Sequence, residues 1–292
     1  MNPVLTLVSR SSGALKLANT APGGLGAAAE RGGRHWSVTE REIDVKRESD
    51  LIAYLDAEAA GAQIDWAIAP QANRRKKLLI SDMDSTIIGQ ECLDELADFA
   101  GFKAEVSAIT ERAMRGELDF ASALRTRVAL LKGLDLSALE KCYAERVTLN
   151  PGARELTATM KAHGARCVLV SGGFRFFTSR VAKAAGFDTD RANTLNDDGK
   201  VLLGTVGEPI LGREAKLVAL KEEAAAIGAT PADALAMGDG ANDLDMIRAA
   251  GLGIAYKAKP IVAAETKARI QFTDLTAALF FQGYAESDFV TA

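Results

Sequence analysis

The sequence predicts an α/β protein: a parallel sheet covered by helices on both faces, with an inserted helical cap and a small α+β unit in front. Three observations predict it. From Lys77 onward short apolar runs, KLLISD, RCVLVSG, ALAMGD and GLGIAY, alternate with helical patterns, as in a sheet buried on both faces. Residues 92–150, between the first two of these runs, carry helical patterns only. Residues 1–75 mix alternating and helical segments differently, and 292 residues suit two domains of about 150 residues each. The expected boundaries are therefore 1–75 and 76–292.

In chain order, VLTLV reads as a strand, HWSVTEREIDVKR as an alternating run, residues 48–60 as a helix and IDWAIA as a second strand. The stretch APGGLGAAAERGG reads as a flexible surface loop. Within it Gly24-Leu25-Gly26-Ala27-Ala28-Ala29 partly matches a dinucleotide fingerprint, with Asp44 at the expected distance. Pro22 and its small neighbours make no strand leading into the turn, so the required context is missing. QANRRKK, with Arg74, Arg75, Lys76 and Lys77, reads as a solvated linker.

The cap is expected from CLDELADFAG, VSAITERAMRG and FASALRTRVALLKG, lying over the carboxyl ends of the strands where ligands of open α/β sheets bind. Asp198-Gly199 in residues 190–204 suits a tight hairpin.

Composition narrows the chemistry. Lys and Arg total 35 against 39 for Asp and Glu, a net charge of −4, which argues against a nucleic-acid surface. Hydrophobic residues at 48% and charged residues at 25% fit a globular chain. The three cysteines Cys92, Cys142 and Cys167 form neither a CxxC knuckle nor a disulfide framework, so a reducing cytoplasm is expected. No apolar run reaches membrane-spanning length, and VLTLVSRSSGALKLA is broken by Arg10 and Lys16. With only His35 and His163, chemistry built on several histidines is disfavoured.

Four motifs remain. Asp82-Met83-Asp84-Ser85-Thr86 follows an apolar strand, and alternation puts both carboxylates on one side of the crevice; a polar turn with a helix cap is the plainer alternative. Met237-Gly238-Asp239-Gly240-Ala241-Asn242-Asp243 closes another strand. Convergence of Asp82, Asp84, Asp239 and Asp243 needs a counter-charge, and hard oxygen ligands point to Mg2+; a glycine-rich capping turn competes. Ser171-Gly172-Gly173-Phe174 offers a hydroxyl and open N–H groups to a phosphate, or is a simple glycine turn. Lys216, in GREAKLVALKEEA, balances anions or is a surface lysine.

In this order the four motifs resemble the haloacid dehalogenase superfamily of phosphotransferases over residues 77–285, and within it the phosphoserine phosphatases. The resemblance implies a Rossmannoid parallel sheet, a helical cap and an N-terminal unit that is a short, divergent ACT-like domain. By the same resemblance Glu91 meets the substrate ammonium group and Arg127 its carboxylate, while Met114 and Phe120 close over the ligand. Helical core packing and a surface ion pair are the plainer readings of these cap residues.

The resemblance further implies hydrolysis of O-phosphoserine through an aspartyl-phosphate on Asp82, the last step of serine biosynthesis. Asp84 acts as acid and then base, and Lys216 neutralises charge. Mg2+ sits on Asp82, the Asp84 carbonyl, Asp239 and Asp243. Ser171, the Gly172 N–H and Asn242 contact the substrate. The competing expectations are a phosphotransferase or phosphomutase that passes the phosphoryl group to an alcohol, and a regulatory protein whose N-terminal unit senses an amino acid. A small-molecule substrate, no nucleic acid or membrane partner, and a homodimer complete the expectations.

Overall fold

The computed structural model describes residues 2–291 apart from 12, 33–34 and 115–116. The first six elements are β1 (Pro3–Ser9), α1 (Gly13–Thr20), β2 (Gly24–Gly32), β3 (Ser37–Ile43), α2 (Glu48–Glu58) and β4 (Asp65–Pro70). Their strands run antiparallel in the order β2-β3-β1-β4, the split βαβ arrangement of ferredoxin-like units. Alternation sorts β1. Leu5 and Leu7 join Leu17 of α1 and Leu51 and Leu55 of α2 in one cluster, while Val8 turns into the main core.

The second part begins with β5 (Leu78–Ser81). The cap follows as α3 (Cys92–Phe99), α4 (Lys103–Met114), α5 (Phe120–Ala129) and α6 (Leu136–Arg146), with Asp119 and Asp135 accepting from Ser122 N and Ser137 N to start the last two. Then come α7 (Ala153–Ala162), β6 (Arg166–Phe174), α8 (Arg175–Ala185), β7 (Thr189–Asn193) and the hairpin β8 (Leu195–Asp197) with β9 (Leu202–Val206). The chain continues through α9 (Arg213–Ala226), β10 (Ala234–Gly238), α10 (Leu244–Ala249), β11 (Leu252–Tyr256), α11 (Pro260–Ala263), β12 (Ala268–Ile270) and α12 (Ala277–Phe281).

Strands β7-β6-β5-β10-β11-β12 are mutually parallel. This is the doubly wound order, and its switch point lies beside β5. Leu78 and Ile80 face Ala219 and Leu220 of α9, whereas Leu79 faces the opposite layer with Leu156 of α7 and Phe177 of α8. That period-two sorting of an all-apolar strand is what burial on both faces demands.

The N-terminal strands continue the same sheet. Strand β4 pairs antiparallel with β12 at Ala67↔Ala268 and Trp66↔Arg269, giving ten strands in all. Asp65, at the start of β4, is buried and accepts from the backbone N–H groups of Gln271, Phe272 and Thr273, tying the loop after β12 to β4.

Two expectations are corrected. Residues 24–32 are not a flexible loop but the edge strand β2, paired to β3 across a register shift between Leu25 and Ala29. Gly26, at φ 67°, supplies the left-handed residue that such a bulge uses. The segment QANRRKK is not a solvated linker throughout. The Arg74 guanidinium donates to Glu40 at 2.7 Å and to Thr6 Oγ1 at 3.0 Å, and buried Lys76 donates to the carbonyls of Asn73 and Ala232. Residues 92–150 and the hairpin at 195–206 follow the sequence reading.

Candidate active site

Asp82 directly follows β5, its N–H donating to Met237 O of β10 at 2.9 Å. Leu78, Ile80 and Asp82 share one side of the strand, so the carboxylate meets α9. There Lys216 heads a buried helical stripe with Ala219, Leu220 and Glu223. Lys216 Nζ, 1% exposed as a side chain, donates to Asp82 Oδ1 at 2.7 Å and to Asp243 Oδ1 at 2.6 Å. The surface reading of Lys216 is thereby excluded.

Asp243 is fully buried in the short turn between β10 and α10, and its second oxygen accepts from Gly240 N at 3.1 Å. Gly238 makes room for it: a Cβ there would lie 2.3 Å from Asp243 Cγ. One oxygen each of Asp82, Asp239 and Asp243 lies within 4.8 Å of the others. Burial, then Asp243 and Asp84, push Asp82 well above the ordinary carboxylate range against the pull of Lys216. Burial and Asp243 likewise raise Asp239 to about 6. Burial opposes the Lys216 charge, but Asp82 and Asp243 outweigh it and hold the ammonium above its usual value. Three converging carboxylates against one ammonium leave excess negative charge on hard oxygen donors, and the donor set fits a small divalent cation.

Asp84 faces the same space. Its Oδ1 accepts from Cys92 N at 2.9 Å, and its Oδ2 accepts from Ser171 Oγ at 3.1 Å. Ser171 Oγ in turn accepts from Gly173 N at 2.8 Å. Burial raises the Asp84 carboxyl above its normal value even with these donors, so it holds a proton more readily than an exposed aspartate. Gly172 lies close under the cap: a Cβ there would stand 3.2 Å from the far edge of the Phe120 ring. Its carbonyl accepts from Asn193 Nδ2 at 2.8 Å, which fixes the loop.

A cavity of about 160 Å³ opens over these groups, lined on the sheet side by Asp82, Asp84, Ser171, Gly172, Asp239 and Asn242. The cap closes it with Glu91, Leu93, Phe120, Leu124 and Arg127. Glu91 keeps part of its surface in solvent, yet the walls around its carboxylate, then the Asp84 charge, push it up to about 7. Arg127 is half-buried, and burial lowers its guanidinium below the usual range. It forms no ion pair among the described residues, so the surface-pair reading does not hold.

The structure thus brings together every expected site residue whose side chain it describes. Met114 ends α4, but its side chain lies outside the described part. Two contributors escaped the sequence reading. Ser85 sits at φ 55°, a strained region for a non-glycine residue, and donates to Glu91 Oε1 at 2.7 Å. Lys259, beyond β11, also lines the cavity. Ser85 was legible from its place between the two carboxylates and Glu91; Lys259 had no local signal.

A doubly wound sheet with paired strand-end aspartates and a buried lysine defines a phosphoryl-transfer hydrolase, and the chain belongs to the haloacid dehalogenase-like hydrolases, whose sequence profile matches residues 79–248. A phosphoserine phosphatase from Polaromonas sp. is 50% identical over 191 residues, covering 64% of this chain and 81% of the relative. A haloacid dehalogenase family hydrolase from Salmonella enterica serovar Typhi superposes with a TM-score of 0.87 at 28% identity, covering 96% of this chain and 97% of that one. A substrate-bound phosphoserine phosphatase complex gives a TM-score of 0.65 at 40% identity, covering 70% of this chain and 98% of that one. No helix among the described residues is long and apolar enough to cross a membrane.

Proposed function

We propose that this chain is a phosphoserine phosphatase, hydrolysing O-phosphoserine to serine and phosphate. The observation that carries the reading is the mixed lining of the cavity. Its sheet side offers Asp82, Asp84 and Ser171 to a phosphoryl group, and its cap side offers Glu91 and Arg127 to an ammonium and a carboxylate. A zwitterionic amino acid needs one anionic and one forked cationic partner at its far end, and this pair supplies both.

In the first half-reaction an Asp82 carboxylate oxygen bonds to phosphorus while the bond from phosphorus to the serine oxygen breaks. Asp84 delivers its proton to the departing oxygen, a role suited to a carboxyl raised by burial. In the second, Asp84 as carboxylate takes a proton from water, whose oxygen displaces Asp82 from phosphorus and frees phosphate. Ser171 Oγ and the Gly172 N–H donate to the remaining phosphoryl oxygens, and Asn242 flanks them. Lys216 holds Asp82 in place and offsets its charge. Asp82, Asp239, Asp243 and the Asp84 carbonyl would hold Mg2+, which when bound supplies the positive charge that lets two anions approach.

Phosphate release from phosphoserine, phosphothreonine, a sugar phosphate and para-nitrophenyl phosphate, each with Mg2+ and with chelator, tests the reading. Phosphoserine is expected to dominate and chelation to stop turnover. Preference for the aryl ester with no turnover of phosphoserine would refute the substrate, and unchanged rates in chelator would refute the metal.

A further inference from the structure

We propose that Lys259 is a further substrate-binding residue, an ammonium at the mouth of the cavity that captures the phosphoryl dianion. It rests on the phosphatase reading above and adds a contact that the four motifs do not contain.

Lys259 lines the cavity on the same side as Asp82, Asp239 and Asn242. Its backbone is anchored: Lys259 N donates to the carbonyl of Asp239 at 3.1 Å, and Pro260 follows it as the first residue of α11. Two residues earlier Lys257, whose N–H donates to Ile270 O at 2.7 Å, carries its ammonium back over the Tyr256 ring at 5.3 Å. Of the two lysines in this loop, only Lys259 lines the cavity.

Charge accounting gives it work to do. Lys216 is shared between two carboxylates behind the cavity, and Arg127 stands on the cap. Lys259 is exposed; its charge pulls the Asp239 carboxyl down against burial and Asp243, yet it closes no side-chain ion pair among the described residues. It is therefore a cation within reach of an anion on the phosphoryl side of a cavity rich in carboxylates, where an incoming dianion meets repulsion. An exposed ammonium on a fixed backbone can meet the phosphoryl oxygens at the mouth, where the charge-assisted contact draws the dianion in.

Steady-state kinetics of the full chain as Lys259→Ala, Lys259→Gln and Lys259→Arg provide the test, on phosphoserine and on para-nitrophenyl phosphate, with inorganic phosphate as inhibitor at low and high salt. Removing the charge is expected to raise KM for both esters and the phosphate inhibition constant by a common factor, about fivefold or more, with kcat held within about twofold. The salt dependence of kcat/KM should flatten, and Lys259→Arg should recover most of the loss. Unchanged KM and phosphate inhibition in variants that melt with the wild type would overturn the proposal. So would a loss confined to kcat or to the Mg2+ requirement. If the wild type turns over the aryl ester but not phosphoserine, the substrate reading fails, while the phosphate inhibition constants still decide for or against Lys259.

Discussion

The floor and the roof of the cavity are built by opposite means. The floor is buried and tightly paired: Asp82, Lys216 and Asp243 are buried side chains on the β5 end, α9 and the β10 turn, held together at 2.6–2.7 Å. The roof belongs to helices inserted between β5 and β6, and its charged groups are looser. Glu91 is held by Ser85, while among the described residues the Arg127 guanidinium hydrogen-bonds only to the Ala123 carbonyl, at 3.4 Å. The difference separates two tasks. Chemistry needs preorganised charge, whereas selection needs groups that pair only when the right ligand arrives. Floor changes should therefore damage every phosphoester alike, and roof changes should discriminate among them.

The largest test is Asp82→Asn. It removes the proposed nucleophile and should cut turnover of phosphoserine and para-nitrophenyl phosphate alike by at least about 10⁴-fold. Substantial residual activity in pure protein, measured by phosphate release, would break the assignment of the floor. Arg127→Ala comes next. Losing a forked, charge-assisted contact should lower kcat/KM for phosphoserine by about 100-fold and leave the aryl ester within about threefold. Equal losses on the two esters would erase the division between floor and roof.

The smallest test is one of pH. Glu91 lies near 7 in the free protein, so it loses its charge as pH falls through that value and no longer attracts an ammonium group. The KM of phosphoserine relative to that of para-nitrophenyl phosphate should rise several-fold between pH 8 and pH 6, the ratio cancelling titration of the phosphate itself. In Glu91→Gln the ratio should be flat and uniformly high. A wild-type ratio independent of pH would leave Glu91 no role in reading the ammonium.

The floor was legible in the sequence because local rules govern it. An apolar strand ending in Asp82, or in Asp239 after Met237-Gly238, needs only alternation and strand-end geometry to be placed. Lys216 was legible only in company, although its spacing to Ala219, Leu220 and Glu223 already marks a buried stripe. The edge strand β2 was missed because Gly24–Ala29 has little strand propensity of its own, and pairing with β3 imposes the conformation. Arg74 was misread as solvated because its acceptors, Glu40 and the Phe281 carbonyl, lie far away in sequence. Lys259 carried no signal of its own, since only the fold brings it to Asp239.

The antiparallel junction of β4 with β12 sets an order of events when the chain is made. Trp66 leaves the ribosome some two hundred residues before its partner Arg269, so β4 spends much of synthesis as an open sheet edge with unpaired N–H and C=O groups. The loop that must close to cover it is long and entropically expensive, and an uncovered edge is a template for a neighbouring nascent chain. Strand β12 and the loop at 271–273 thus serve the N-terminal strands as a late-arriving seal.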